Sequence, residues 1–191
     1  MDLLKERILK DGRCLGTDIL KVDSFLNHQI DVALVAELGR EFARLFAGCG
    51  INKILTIETS GIPIAYAAAH AMGDLPLVFA KKTKPSTMVD GMYSAPVKSF
   101  TKGTVSNVIV SKRYLGPDDV VLLIDDFLAH GEAASGLFEL CRQAGAKCAG
   151  LGAAIEKKYQ GGAEKLRALG LRVESLAVIS SLSDGKIEFE N

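Results

Sequence analysis

The sequence feature that most constrains the fold is an uninterrupted apolar run, Val120–Ile124, made only of valine, leucine and isoleucine. Such a run is typical of a strand that is buried on both faces of a parallel sheet. Other apolar runs separated by helical patterns predict four further strands, over 53–57, 77–80, 148–155 and 173–181. Because strands and helices alternate, the chain is expected to adopt an α/β fold with a mostly parallel sheet flanked by helices.

The spacing of apolar side chains also predicts the helices and two smaller features. Helical stripes and end signals occur at 2–10, 31–50, 63–73, 132–144 and 161–169. Segment 19–29 is rich in apolar residues but fits no helix well. Alternation over 92–100 and 104–111 favours a two-stranded excursion that turns at 101–103, and Asp184-Gly185 is a hairpin signal.

Length and composition narrow the class of protein. A chain of 191 residues corresponds to one domain, and 48% hydrophobic with 24% charged residues is ordinary for a globular protein. The formal net charge is zero, so nothing demands a nucleic-acid partner, and no apolar run is long enough to span a membrane. The four cysteines show no C-x-x-C spacing, which predicts free thiols. The charged N-terminus is unlike a signal peptide, so a cytoplasmic location is expected.

The most informative loop follows Ile124. In parallel sheets, ligands bind beyond the carboxyl ends of the strands, where loops follow Ile57, Ala80 and Ile124. The adjacent acids Asp125 and Asp126 are followed by small residues and then a predicted helix, whose free N–H groups and dipole favour a phosphate. The acids themselves suit ribose hydroxyls, a divalent cation or positive charge developing on a sugar ring. Taken alone, the pair is equally consistent with a simple helix cap.

The full string is more specific. Ile-Asp-Asp-Phe-Leu-Ala-His-Gly, over 124–131, resembles the phosphoribosyl-pyrophosphate motif of type I phosphoribosyltransferases, in the version found in xanthine phosphoribosyltransferases. The resemblance covers nearly the whole chain. Segment 20–31 is similar to that family's base-recognition segment and Glu58–Ile62 to its pyrophosphate loop, while 155–157 and 172–177 match its C-terminal half.

The resemblance implies a type I phosphoribosyltransferase fold, a Rossmann-like sheet with a hood and a flexible lid loop. It implies one domain over 1–191, in which 1–30 and 156–191 contribute to a base-binding hood and 81–111 form a flexible loop with a β excursion. The activity implied is transfer of the phosphoribosyl group of phosphoribosyl pyrophosphate (PRPP) to N9 of xanthine, which yields xanthosine monophosphate and pyrophosphate. A homodimer is also implied. Mg²⁺ is expected to be bound mainly through the substrate's oxygens, without a dedicated protein metal site.

Carried onto this sequence residue by residue, the resemblance assigns three groups of site residues. Asp125 and Asp126 are the catalytic pair. PRPP is expected to contact the loop and helix start after this pair and the pyrophosphate loop, through Thr59, Ser60, Ala129, His130, Gly131, Glu132 and Ala133. Xanthine is expected to contact Leu20, Asn27 and Lys157, with Asn27 at the 2-oxo edge and Lys157 at the 6-oxo edge.

Each assignment has a simpler alternative. Lys157 beside Glu156 could be a surface pair, Asn27 a turn residue, and the Ser-Gly after Thr59 an ordinary turn. Three further lysines, Lys81, Lys82 and Lys84, belong either to a solvated loop or to a lid that brings cations to pyrophosphate.

Two positions depart from the family pattern, and two other functions stay open. The family usually has Asn at His130 and Ser at Thr59; both positions are expected to act through their backbone N–H groups. A related transferase for guanine, hypoxanthine or adenine differs by only a few hydrogen bonds. A PRPP-binding regulator of transcription or RNA fits less well, because the chain is short, has no appended helix-turn-helix and has no excess of positive charge.

Overall fold

A computed structural model of the chain describes residues 1–82, 91–99, 104–183 and 185–190. Its centre is a six-stranded sheet. The strands are β3 (Lys53–Ile57), β4 (Leu77–Ala80), β7 (Val120–Leu128), β8 (Lys147–Lys157), β9 (Val173–Ser183) and β10 (Lys186–Phe189). Their order in the sheet is β10-β9-β8-β7-β3-β4. Five of these strands run parallel, and β10 is an antiparallel edge.

Helices cover both faces of this sheet. One hydrophobic cluster packs three helices on one face, and a second cluster packs the other two on the opposite face. The first group is α1 (Asp2–Asp11), α2 (Val32–Leu45) and α3 (Gly61–Ala71), and the second is α4 (Glu132–Ala144) and α5 (Gly162–Ala168). None of the helices in the described part of the chain is long and apolar enough to cross a membrane.

The direction in which successive strands are added across the sheet reverses between β3 and β7, which are themselves parallel. From β3 the chain passes through α3 to β4 on one side, whereas from β7 it passes through α4 and α5 to β8 and β9 on the other. Because the two connections leave in opposite directions, a crevice opens at the carboxyl ends of β3 and β7. The loops that follow these two strands are those singled out from the sequence.

Two small antiparallel pairs lie outside the central sheet. Strands β1 (Arg13–Leu15) and β2 (Ile19–Lys21) pair near the N-terminus and lead into a π-helical turn, Asp23–Asn27. Strands β5 (Met92–Ser99) and β6 (Thr104–Ser111) form the predicted excursion, which packs on α4 through the second cluster. Its predicted turn at 101–103 and Lys84 lie outside the described residues.

Most predicted elements are confirmed, and three predictions need correction. Strand β7 continues through the acidic pair to Leu128, so Asp125 and Asp126 belong to the strand and not to a loop after Ile124. Pairing with β8 extends this strand, since Leu128 is still opposite Glu156. Helix α2 ends at Leu45 and not at Gly50, and 19–29 is ordered as β2 and the π-helical turn.

Candidate active site

A cavity of about 630 Å³ opens in the crevice between β3 and β7. The nine residues predicted to bind PRPP or act in catalysis all line it, from both loops and the end of β7. The β5–β6 hairpin contributes one wall through Val97, Lys98 and Ser106. The structure therefore brings the predicted pyrophosphate loop, the acidic pair and the start of α4 together around one volume.

The acidic pair occupies the floor of this cavity, and its two members differ in environment. Asp125 is buried, whereas Asp126 is half-buried. Burial raises the pKa of Asp125 well above its usual value, the neighbouring charge of Asp126 adds to the rise, and the cation of Lys82 partly opposes it. The backbone N–H of Asp126 donates to Asp125 Oδ1 at 3.0 Å. A cationic group bound in the cavity would lower this pKa again, because it stabilises the carboxylate.

The loop between β7 and α4 is built for close backbone approach. Gly131 has a left-handed backbone (φ 75°) and caps α4, and its carbonyl accepts from the N–H of Ser135. Gly162 at the start of α5 lies against this loop, and its N–H donates to the carbonyl of Ala129 at 3.1 Å. A Cβ on Gly162 would lie 2.2 Å from that carbonyl oxygen. Glycine there lets α5 support the loop, and the first N–H groups of α4, which lack partners within the helix, are suited to bind an anion.

The side chains of this loop have their own partners. His130 Nδ1 lies 3.2 Å from the carbonyl oxygen of Gln160, which can only accept, so the proton of this contact is on Nδ1. The carboxylate of Glu132 pairs with Lys165 at 2.7 Å. These contacts are compatible with the expectation that His130 and Glu132 offer their backbone N–H groups to a ligand.

The opposite side of the cavity is formed by the loop after β3. Thr59 and Ser60 precede α3, and the Glu58–Thr59 peptide bond is cis. The carboxylate of Glu58 accepts from the backbone N–H of Lys82 at 2.7 Å, which ties this loop to the chain leaving β4. Lys82 lines the cavity, while the ammonium of Lys81 lies over the ring of Phe79 at 5.7 Å. Of the predicted lid lysines, Lys82 is therefore the one placed at the site within the described residues.

The three residues assigned to xanthine do not line this cavity. Leu20 is a core residue with 6% exposure, Asn27 is exposed at the end of the π-helical turn, and Lys157 is half-buried at the end of β8. The ammonium of Lys157 donates to the carbonyl oxygen of Asp18, between β1 and β2. Desolvation lowers the pKa of Lys157, and the nearby negative charge of Asp18 partly opposes this.

Phe127 links the cavity to the residues assigned to xanthine, although the sequence motif does not assign it a role. Its ring lines the cavity, and the ammonium of Lys157 lies 5.6 Å from the ring centre. Phe127 stands inside the quoted motif, so its position next to the acids was the available signal. Gly162 was missed as well, because its contact with Ala129 joins residues that are 33 positions apart.

The oxygen donors of the cavity suit a hard divalent cation only in part. Asp125 and Asp126 offer the carboxylate oxygens that Mg²⁺ prefers. Within the described ranges, no group of three or more His, Cys, Asp or Glu side chains could hold a metal ion. Two carboxylates are too few for an octahedral site, so a Mg²⁺ ion here would need further oxygens from a bound ligand.

Comparison with known proteins assigns most of the chain to the family that the sequence motif resembles. A family model described as the phosphoribosyl transferase domain matches residues 21–173. A xanthine phosphoribosyltransferase of Moorella thermoacetica is 54% identical over 191 residues, which cover 100% of this chain and 97% of the relative. That of Ruminiclostridium cellulolyticum is 54% identical over 189 residues, 99% of each chain.

Solved structures agree on the fold. The APRTase of Giardia lamblia complexed with 9-deazaadenine aligns with a TM-score of 0.77 at 22% identity, over 92% of this chain and 96% of that one. The adenine phosphoribosyltransferase of Rhodothermus marinus aligns with a TM-score of 0.73 at 20% identity, over 93% and 99%. These identities are low, so the likeness concerns the arrangement of helices and strands and not the choice of base.

Proposed function

The chain belongs to the phosphoribosyl transferase family, and we propose that it is a purine-salvage enzyme that makes xanthosine monophosphate and pyrophosphate from xanthine and PRPP. The observation that carries this proposal is the cavity at the β3–β7 crevice, where an acidic pair lies between two loops suited to phosphate. The choice of xanthine is supported by curated relatives of that name at 50–54% identity over almost the full chain.

The 5′-phosphate is bound by the start of α4 in this proposal. The backbone N–H groups of 129–133 and the positive end of the helix dipole provide an anion site without a lysine or arginine in the loop. The support of Gly162 beneath Ala129 fixes the shape of this loop before substrate arrives. A site that is already ordered loses less entropy on binding.

The acidic pair acts on the ribose. Asp126 and Asp125 bind its vicinal hydroxyls and stabilise the positive charge that develops on the sugar as the bond to pyrophosphate breaks. By analogy with glycosyl transfer, the anomeric carbon passes through an oxocarbenium-like state and N9 of the base forms the new bond. No covalent enzyme nucleophile is needed, because the protein aligns the two substrates against each other.

Pyrophosphate leaves on the β3 side. The N–H groups and hydroxyls of Thr59 and Ser60 bind it, and the ammonium of Lys82 neutralises part of its charge. Bound Mg²⁺ would supply further neutralisation of the leaving pyrophosphate, held by the substrate's oxygens together with Asp125 or Asp126. Closure of the lid that includes part of 81–111 would keep water from the reacting carbon.

Base recognition depends on the second region. Phe127 offers an aromatic face in the cavity, and Lys157 beside it donates to a purine oxygen at the 6-position. Asn27 recognises the 2-oxo edge and Leu20 packs near the base. The segments 1–30 and 156–191 form the hood around it; the bond from Lys157 to Asp18 and the bond from Lys5 to Glu190 (3.1 Å) join these two segments.

We further expect a homodimer that acts in the cytoplasm. The family resemblance supports the dimer, and all four cysteines are free thiols, as a reducing compartment allows. Sedimentation at micromolar concentration tests the dimer, since a single 20.4 kDa species would contradict it.

The function is tested by pyrophosphate release, with PRPP, Mg²⁺ and each of xanthine, guanine, hypoxanthine and adenine in turn. Fastest release with xanthine is the expected result. Preference for another purine would overturn the base assignment to Asn27 and Lys157 but keep the PRPP site. Tight PRPP binding without turnover of any base would instead favour a regulator, which a gel shift with nucleic acid would examine.

A further inference from the structure

The base-recognition segment has an anchor on α1. Asn27 is exposed at the end of the π-helical turn, so burial does not fix its side chain. Two neighbours do have fixed places: Phe25 is completely buried in the core, and Asp31 is the N-cap of α2. Asn27 lies between them, two residues after the first and four before the second.

One side chain from another element contacts both neighbours. Arg7 Nη1 lies 2.6 Å from Asp31 Oδ2, and the guanidinium carbon lies 5.1 Å from the centre of the Phe25 ring. Arg7 Nε lies 2.6 Å from Asp11 Oδ2 at the end of α1, an ion pair without hydrogen-bond geometry. A planar guanidinium can stack on a ring and pair with carboxylates at its edge, which an ammonium cannot do at once.

The two contacted residues are also bonded to each other and to α2. The N–H of Asp31 donates to the carbonyl of Phe25 at 2.9 Å, so the chain between them is a closed loop. Asp31 Oδ1 accepts from the N–H of Leu34 at 3.1 Å and starts α2. The hydrogen bond from the Leu34 N–H lowers the pKa of Asp31 most, and the hydrogen bond from Arg7 lowers it further. Arg7 thus locks both ends of the loop that carries Asn27.

We propose that Arg7 is a positioning residue for base recognition, which holds the 25–31 loop so that the amide of Asn27 meets the purine. The inference rests on the proposed function, because it takes Asn27 as a base-binding residue. Arg7 lies on α1, and its guanidinium is occupied by Asp31, Asp11 and the Phe25 ring, so Arg7 acts through this loop and not on a substrate directly. Its effect should therefore appear in base binding alone.

The test is steady-state kinetics of Arg7→Ala and Arg7→Lys with xanthine and PRPP. We expect Arg7→Ala to raise KM for xanthine about tenfold, with kcat and KM for PRPP within about twofold of the wild type. Arg7→Lys should restore part of the loss, because an ammonium can still pair with Asp31. Arg44→Ala is the matched control, since Arg44 pairs with Glu41 on the exposed face of α2 and should change neither KM.

A double-mutant cycle with Asn27→Ala separates positioning from general stability. If Arg7 acts through Asn27, adding Arg7→Ala to Asn27→Ala should change KM for xanthine by less than about twofold. A full further tenfold rise would overturn the proposal, and so would equal rises in both KM values of the single variant. Should Arg7→Ala fail to fold, Arg7→Lys and Asp31→Asn carry the same comparison.

The wild-type enzyme in the same assay keeps the two hypotheses apart. Turnover of xanthine with an unchanged KM in the Arg7 variants overturns only the role of Arg7. Failure of the wild type to use xanthine overturns the proposed function, and with it the premise of the Arg7 proposal.

Discussion

The two proposed substrate sites, which we call the phosphate side and the base side, are built in different ways. The phosphate side, at the carboxyl ends of β3 and β7, consists of backbone N–H groups, glycines and a buried acid from adjacent strands of one sheet. The base side consists of side chains from β2, the π-helical turn and the end of β8, which are joined by contacts such as Lys157 to Asp18.

This difference determines which side-chain substitutions each side tolerates. Backbone donors at a helix start do not depend on the side chain present, so His130 can stand where the family resemblance implies asparagine. Side-chain donors at the base do depend on identity, because a donor or acceptor left unpaired by the wrong base costs about 1–3 kcal/mol. The phosphate side is therefore expected to be common to enzymes of this fold, and the base side to set specificity.

The largest effect is expected from the acidic pair. Asp126→Asn should lower kcat about 10²–10³-fold, because it removes a charge that stabilises the developing cation. The amide has the same shape, so the thermal midpoint should stay close to that of the wild type. Unchanged steady-state rates would contradict the role given to the pair. Asp118→Asn, at an exposed acid, is the control and should leave kcat unaltered.

A substitution on the base side should change KM for xanthine. Lys157→Ala should raise KM for xanthine roughly 10- to 150-fold, since a hydrogen bond from a charged group contributes about 1.5–3 kcal/mol. KM for PRPP should change little. Lys158→Ala removes the neighbouring ammonium, which pairs with Glu190 away from the cavity, and serves as the control. Equal weakening of both substrates by Lys157→Ala would place Lys157 outside the base site.

A glycine substitution should affect only the phosphate side. Gly162→Ala puts a methyl group against the carbonyl of Ala129 and shifts the loop before α4. Overpacking costs about 1–3 kcal/mol, so KM for PRPP should rise roughly 5- to 150-fold while KM for xanthine stays near the wild-type value. Gly116→Ala is the control, because a Cβ there has no neighbour within 4 Å. Wild-type PRPP kinetics in Gly162→Ala would show that α5 does not support the loop.

The smallest effect is expected on stability, through the buried acid. The pKa of Asp125 is raised in the folded protein, so the native state binds more protons than the unfolded chain between about pH 3.9, the unfolded value, and the higher folded pKa. The free energy of unfolding therefore falls as pH rises across this interval and stays lower above it. Asp125→Asn should be more stable than the wild type in urea at pH 7, with the difference fading toward pH 3. A difference independent of pH would contradict this origin.

Much of the fold could be predicted from sequence because its elements carry local signals. The limits of β3 and α4 match the predicted ones, since an apolar run and a helical stripe reflect burial on one or two faces. The end of β7 was misplaced because pairing with β8 holds the acids in an extended strand, although carboxylates do not favour one.

In the candidate site too, the features that are local in sequence could be predicted, and the contacts between distant residues could not. Residues 120–133 form one continuous strand, loop and helix start, so the order of apolar run, acidic pair and start of α4 could be read from the sequence alone. Three contacts follow from the packing of distant elements: Gly162 with Ala129, Lys157 with Asp18, and Arg7 with Asp31. The physical reason is that close approach and pairing between distant residues depend on how whole elements pack, which no local pattern of side chains records.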